Sequence, residues 1–114
     1  MNKDDVVTVY IAFSDGTGGK RRPVLVLKDE STKLLLYRIT SKYKNKSKRI
    51  QHQYYPLLDW QAAGCNKPSY IDIGDLASID KSFLGEIKQL GRLSIRDIQG
   101  LKQFITQYQL NQSE

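Results

Sequence analysis

The sequence predicts a mainly β domain, a small antiparallel, barrel-like sheet with one helix packed on it. Three observations carry that expectation. Short segments rich in β-branched and aromatic residues recur between turn-forming stretches. Helical periodicity extends over one long stretch, and that stretch is the C-terminal one. With 114 residues the chain reads as a single domain, large enough to bury a modest core without disulfides or metals.

Residues 6–13, VVTVYIAF, form the first expected strand, apolar at nearly every position and therefore covered on both faces. Residues 14–19 are too rich in glycine for regular structure and read as a loop. In the stretch that follows, GGKRRPVLVL, two glycines free the backbone and Lys20, Arg21 and Arg22 stack positive charge. Pro23 then fixes extended geometry as an apolar strand, 23–28, enters the core. A turn at 29–32 leads into a returning strand, 33–39, which completes an antiparallel hairpin and ends in Thr40-Ser41. Residues 42–49, KYKNKSKR, carry a cation at nearly every second position and read as a mobile loop, followed by a strand at 50–55. A short helical turn is expected at 56–64, burying Leu57, Leu58 and Trp60 and stopped by Gly64. Strands follow at 70–79 and, more weakly, at 85–90. Ser94 then opens the long helix, with Asp97 in a variant of the capping box. Ile95, Ile98, Leu101, Ile105 and Tyr108 recur at spacings of three and four as its apolar stripe.

The net charge is +6, but its distribution matters more. Between Lys20 and Arg49, eleven Lys/Arg stand against Asp29 and Glu30, a local charge of +9; the other seven Lys/Arg and ten Asp/Glu make the rest −3. A basic segment on a mildly acidic body suits a polyanion binder, although such runs also serve as solvated surface. Cys65 is the sole cysteine, which excludes an intramolecular disulfide and fits a reducing cytosol. The N-terminus lacks the apolar run of a signal peptide, and no stretch reaches the roughly 18 apolar residues of a membrane span. The expectation is a soluble cytoplasmic protein.

Most candidate chemistries weaken on inspection. His52 offers a general base, but no second acid accompanies it, and a satisfied strand histidine is the simpler account. Asp72, Asp75 and Asp80 lack the dense spacing of a Ca²⁺ or two-metal site, so no metal is expected. Cys65 has no histidine beside it and reads as structural. The glycines at 16–19 are not followed by the Lys-Ser/Thr of a nucleotide-binding loop. Tyr37, Tyr43, Tyr54 and Tyr55, interleaved with cations, suit base stacking or an ordinary core edge equally well. What remains is Arg22 at the mouth of the second strand and Thr40 at the end of the third. In a hairpin these reach the same rim of the sheet, where a planar guanidinium beside a hydroxyl would clamp a phosphate. A surface arginine and a strand-end threonine are the plainer account of the same pair.

The order GGKRRPVLVL, YRITS after one turn and strand, KPSYIDIGDLASID and a single C-terminal helix resembles the MazF/PemK family of toxin–antitoxin ribonucleases, over essentially the whole chain. The resemblance implies an SH3-like barrel forming a two-fold homodimer. It also implies metal-independent, sequence-specific cleavage of single-stranded RNA, with no cofactor, and inhibition by a cognate antitoxin whose acidic tail fills the RNA groove. The family's catalytic arginine precedes the proline, which corresponds to Arg22, with Arg21 as its immediate neighbour; the catalytic threonine corresponds to Thr40. The expected RNA-binding set is Lys20, Arg21, Ser41, Lys42, Tyr43, Lys44, Lys46, Lys48, Arg49, His52 and Ser69. The first loop is shorter than in many relatives and lacks their glutamate, and Asp4-Asp5 stands where Gly-Asp is usual. The alternative is a non-catalytic barrel of this fold, either a gyrase-directed toxin or a plain nucleic-acid binder.

Overall fold

The first strand, β1 (Asp5–Ala12), is not covered on both faces throughout as expected: Val6 and Val7 are buried on opposite faces, but beyond Thr8 the face that carries Tyr10 and Ala12 is exposed. In the structure, a computed structural model describing residues 1–12 and 15–112, it pairs antiparallel with β2 (Gly19–Asp29). Phe13 and Ser14, expected to close the strand and open the loop, lie outside the described residues. Next come β3 (Lys33–Thr40), a short helix α1 (Lys48–Gln51), β4 (Tyr54–Pro56) and β5 (Tyr70–Asp80). A 3₁₀ turn at Lys81–Phe83, then β6 (Leu84–Arg92) and the long helix α2 (Ile95–Gln112), complete the chain. The six strands form one antiparallel sheet in the order β4-β5-β3-β2-β1-β6.

Strand alternation divides the core in two. Val6, Leu25, Ile39 and Ile71 face α2, which supplies Ile98, Leu101, Phe104 and Ile105. Val7, Val9, Val24, Val26, Leu34 and Leu36 face the other way, and all six are fully buried. The partly buried side chains on this second cluster are Ile11, Ala77, Ile79 and Leu84, all from strands. The sheet therefore curls over its own inner face, the expected barrel-like form.

Several local expectations need correction. β2 begins at Gly19 rather than Pro23, because backbone pairing with β1 extends through Lys20↔Ile11 and Gly19↔Ala12 whatever the side chains are. Gly19 suits that pairing, since a Cβ there would collide with the Tyr10 ring and the Ile11 carbonyl. The basic segment is not one loose loop: Ser47 caps α1 by accepting from Ile50 N, and Gln51 Nε2 donates to Tyr43 O at 3.0 Å. That helix displaces the strand expected at 50–55, so His52 is the C-cap of α1 and β4 retains Tyr54–Pro56 alone. Along α2, Ile95 is 75% exposed and drops out of the expected stripe, while Phe104 joins it.

Segment 57–65 keeps a single helical turn, with Ala63 N donating to Asp59 O. Cys65 N then donates to Trp60 O and Gly64 N to Gln61 O, the paired bonds of a Schellman closure around Gly64 at φ +88°. Leu57 is buried here and Trp60 half-buried, but Leu58 is exposed, contrary to expectation. A Cβ on Gly64 would strike the Leu90 carbonyl of β6 in addition to requiring a left-handed backbone. Gly64→Ala is therefore expected to destabilise the fold by about 2 kcal/mol or more. A lower urea midpoint at constant m-value checks this.

A basic cleft between the hairpin and the lysine-rich segment

Pleating fixes which side chains of the hairpin share a face. Val24 pairs with Arg38, so Arg22 two residues before Val24 and Thr40 two residues after Arg38 project from the same face of the sheet. They do line one cleft of about 320 Å³, together with Arg38, Lys42 and Lys46 and with Tyr54 and Asp72. Four cations thus converge on a concave surface where, among the described residues, Asp72 is the one carboxylate of the lining. Such a surface concentrates the field on an anion.

The two adjacent arginines take opposite faces. Arg21 donates through Nη1 to Thr8 Oγ1 at 2.9 Å and to Glu86 O at 3.4 Å, and lies 3.8 Å from the Glu86 carboxylate. The Arg22 side chain, on the other face, makes no hydrogen bond or ion pair with any other described residue. Arg22 lines the cleft, and its five donors have no competitor among the described residues. Thr40 Oγ1 accepts from Lys42 N at 3.1 Å, which occupies the hydroxyl as an acceptor and leaves its O–H free to donate.

Pro23, Ile39 and Thr40 also border a second depression, of about 310 Å³, whose far side includes Ser41, Cys65 and Ser69. Thr40 therefore stands on the wall between the two. Ser69 is buried and donates to Lys67 O at 2.9 Å. Burial pushes the Cys65 thiol above its ordinary value, with a smaller opposing effect of Ser69, so the group is held as the weakly nucleophilic thiol. Lys44 lines a neighbouring groove with Ser41, Lys42, Tyr43 and Tyr70. The Tyr43 ring is stacked on Tyr70, centroids 4.4 Å apart, and both tilt against Tyr54, so one face of Tyr43 is already covered by protein.

The remaining candidates lie apart from this cleft. Lys20 is exposed on β2 opposite Ile11, and Lys48 and Arg49 are exposed on α1. His52 lines a different groove, of about 400 Å³, between α1, β4 and the Phe104–Tyr108 side of α2. The sequence places His52 after the basic run, but the unforeseen α1 turns it away from Arg22 and Thr40. Among the described residues no group of three or more His, Cys, Asp or Glu could hold a metal ion, and no helix is long and apolar enough to cross a membrane.

Sequence reasoning missed Arg38, because a lone arginine in an apolar strand carries no motif; only the hairpin register brings it beside Arg22. It also missed the scaffold behind the cleft. Asp97, fully buried at the start of α2, accepts from the Tyr55 hydroxyl at 2.7 Å and from Leu58 N and Asp59 N at 2.9 and 2.8 Å. Asp59 is in turn gripped by Arg96 through two bonds, of 3.1 and 2.6 Å, which hold its carboxyl below the usual range.

Residues 3–108 match a family model described as the PemK-like, MazF-like toxin of type II toxin-antitoxin systems. No curated protein sequence matches the chain. Among solved structures, the chain is similar to the Mycobacterium tuberculosis toxin MazF-mt6, with 26% identity over 86% of this chain and 91% of that one and a TM-score of 0.57. An Mtb toxin at 23% identity, covering 86% of this chain and 97% of its own, has the same TM-score of 0.57. An endoribonuclease in complex with its cognate antitoxin, from a mycobacterial species, has 13% identity, 93% and 90% coverage and a TM-score of 0.54. The last two are likenesses of fold.

Proposed function

The chain belongs to the PemK-like, MazF-like toxins of type II toxin–antitoxin systems, and from that premise we propose that it is a metal-independent endoribonuclease acting on single-stranded RNA. The observation that carries the reading is the Arg22–Thr40 arrangement: an arginine side chain without a partner among the described residues and a hydroxyl whose one bond there is as an acceptor, on one face of one hairpin, in a cleft lined by three further cations.

The chemistry follows from what those groups supply. The ribose 2′-hydroxyl oxygen loses its proton to solvent and bonds to the adjacent phosphorus, and the P–O5′ bond breaks with its electron pair staying on O5′, which takes a proton from solvent, leaving a 2′,3′-cyclic phosphate and a 5′-hydroxyl. Negative charge grows on the non-bridging oxygens as phosphorus becomes five-coordinate. Arg22 stabilises that charge through paired N–H donors, and Thr40 donates to a phosphate oxygen from its otherwise uncommitted O–H. Arginine is too weak an acid to serve as a free base, so its role is electrostatic. Lys42 and Lys46 hold neighbouring phosphates, while the depression beyond Thr40, with Ser41 and Ser69, receives the adjoining nucleotide.

The test is incubation with long single-stranded RNA in EDTA, followed by identification of the product ends. Cyclic phosphate and 5′-hydroxyl ends are expected. Binding without scission would favour the non-catalytic barrel instead, and cleavage that needs Mg²⁺ would overturn the mechanism. Replacing Lys42 and Lys46 with glutamine is expected to reduce the salt slope of RNA binding by about one per lost phosphate contact. The Lys44/Lys48 pair, outside the cleft, should change it less; the comparison is read from binding constants between low and moderate salt.

Two partners belong to the same proposal. The basic cleft suits the acidic, disordered tail of an antitoxin, which would compete with RNA for the same cations. A two-fold homodimer is supported by β6, a sheet-edge strand that exposes Ile87 and Leu90, with Phe83 exposed just before it.

A further inference from the structure

Arg38 occupies the cleft beside Arg22 and Thr40, but unlike Arg22 its side chain has a partner among the described residues: its Nη2 is bonded to the carboxylate of Asp75. That pairing depends on an irregularity in β5. Arg38 lies opposite Asp72 and the preceding Tyr37 lies opposite Leu76, so Ile73, Gly74 and Asp75 form an extra loop of strand between them. The bulge is built rather than slack. Asp72 Oδ1 accepts from Gly74 N at 3.0 Å and Gln53 Nε2 at 2.9 Å, and Ile73 N donates to Gln53 O. A Cβ at Gly74 would collide with the Gln53 amide. Bulges re-aim side chains, and this one directs Asp75 over Arg38 at the cleft.

We propose that Arg38 is a second phosphate-binding arginine of the cleft and that Asp75 is its resident competitor, holding the guanidinium until an RNA phosphate displaces the carboxylate. The inference rests on the RNA-cleaving reading above. Both side chains are about half exposed, 54% and 50%, so the pair is screened by water and weak enough to be exchanged. A phosphate diester offers the guanidinium the same forked geometry as the carboxylate. Displacement releases Asp75 to solvent at little cost, whereas Asp72, buried and bonded within the bulge, stays in place. Arg22 then engages the scissile phosphate unopposed, and Arg38 the next phosphate along the strand.

The experiment is fluorescence-anisotropy binding of a mixed-sequence 2′-O-methyl oligoribonucleotide, which cannot be cleaved, across a series of KCl concentrations. Arg38→Gln is expected to weaken binding about tenfold and lower the salt slope by about one. Asp75→Asn should tighten binding about three- to tenfold, and the same substitution in the Arg38→Gln background should shift it less than about twofold. Arg38→Lys, which keeps the charge without the fork, should fall between the two arginine states; circular dichroism verifies that each variant is folded. Equal tightening by Asp75→Asn in both backgrounds would mean that it acts as bulk charge, and that result overturns the inference, as does an Arg38→Gln variant that binds normally. Absence of binding by the unaltered chain would instead overturn the RNA reading itself, and this inference with it.

Discussion

Arg22→Ala is expected to lower RNA cleavage by about a hundred- to a thousandfold while leaving the fold intact. The magnitude is that of removing a preorganised donor from a site of developing charge. It is large here because the Arg22 guanidinium has no bond to another described residue, so it enters the reaction already aimed and uncommitted. For the same reason the substitution leaves no buried partner unsatisfied, and thermal stability should hardly change. Arg22→Lys should recover a minor part of the loss, since an ammonium supplies charge without the planar fork. Arg21→Ala is the internal control: it breaks the bonds to Thr8 and Glu86 on the opposite face and should spare the chemical step. Initial rates on a single-stranded RNA in EDTA, with melting curves on the same samples, provide the measurement. Activity retained in Arg22→Ala and lost in Arg21→Ala would reverse the assignment.

The second large effect concerns stability. Asp97→Ala should cost about 3–5 kcal/mol, a substantial share of the roughly 5–15 kcal/mol that holds a domain of this size together. The carboxylate is fully buried and receives the Tyr55 hydroxyl and two backbone N–H groups, all of which would be left without a partner. Asp97→Asn should be milder, keeping one acceptor but turning an amide donor toward an N–H. Gly100 packs at the same point: a Cβ there would collide with the Tyr55 hydroxyl, so this helical glycine makes room for the bond. The network also has a pH signature. Burial, and then the bond to Asp97, raise the Tyr55 hydroxyl well above its ordinary value. The folded state therefore favours neutral Tyr55, and its contribution is complete below about pH 10 and is lost as pH rises above that. Burial also raises Tyr37 and Tyr54, so Tyr55→Phe should remove part of the alkaline loss rather than all of it. Melting temperatures between pH 8 and 11.5 test the sign.

What could be read in the sequence divides along a physical line. β1, the hairpin, β5 and α2 were legible because each is declared by its own side chains, in apolar runs or in spacings of three and four. Arg22 and Thr40 were legible because a hairpin requires only a turn of the right length to bring them to one rim. The start of β2 was not, since its strand character comes from backbone pairing to β1 beneath a coat of glycine and cations. Helix α1 was missed although Ser47 is a good N-cap, because Ile50 and the tyrosines beyond it suggested a strand. Asp97 was seen as a local cap, and its Ser94 bond is indeed present at 3.1 Å. Its larger role, tying β4 and segment 57–65 to α2, lies in partners about forty residues away. The Arg38–Asp75 contact was further out of reach, for it depends on a bulge whose register no single-strand pattern encodes.

The opposite facing of Arg21 and Arg22 also sets a rule for how such a chain can change length. Side chains alternate along β2, so inserting or deleting one residue between the pairing with Val9 and the pairing with Arg38 would exchange the parity of everything beyond it. With the pairing to β3 kept, Arg21 would then enter the cleft in place of Arg22; with the pairing to β1 kept, Val24 would instead trade places with Leu25. Closer to the turn the restriction relaxes, because the pairing already slips by one residue between Val26 and Lys28 and the slip leaves the rim undisturbed. Length variation in descendants of this chain should therefore collect in the turn at 30–32 and in the loop before Gly19. The short interval from Gly19 to Val26 should keep its count even when its side chains drift.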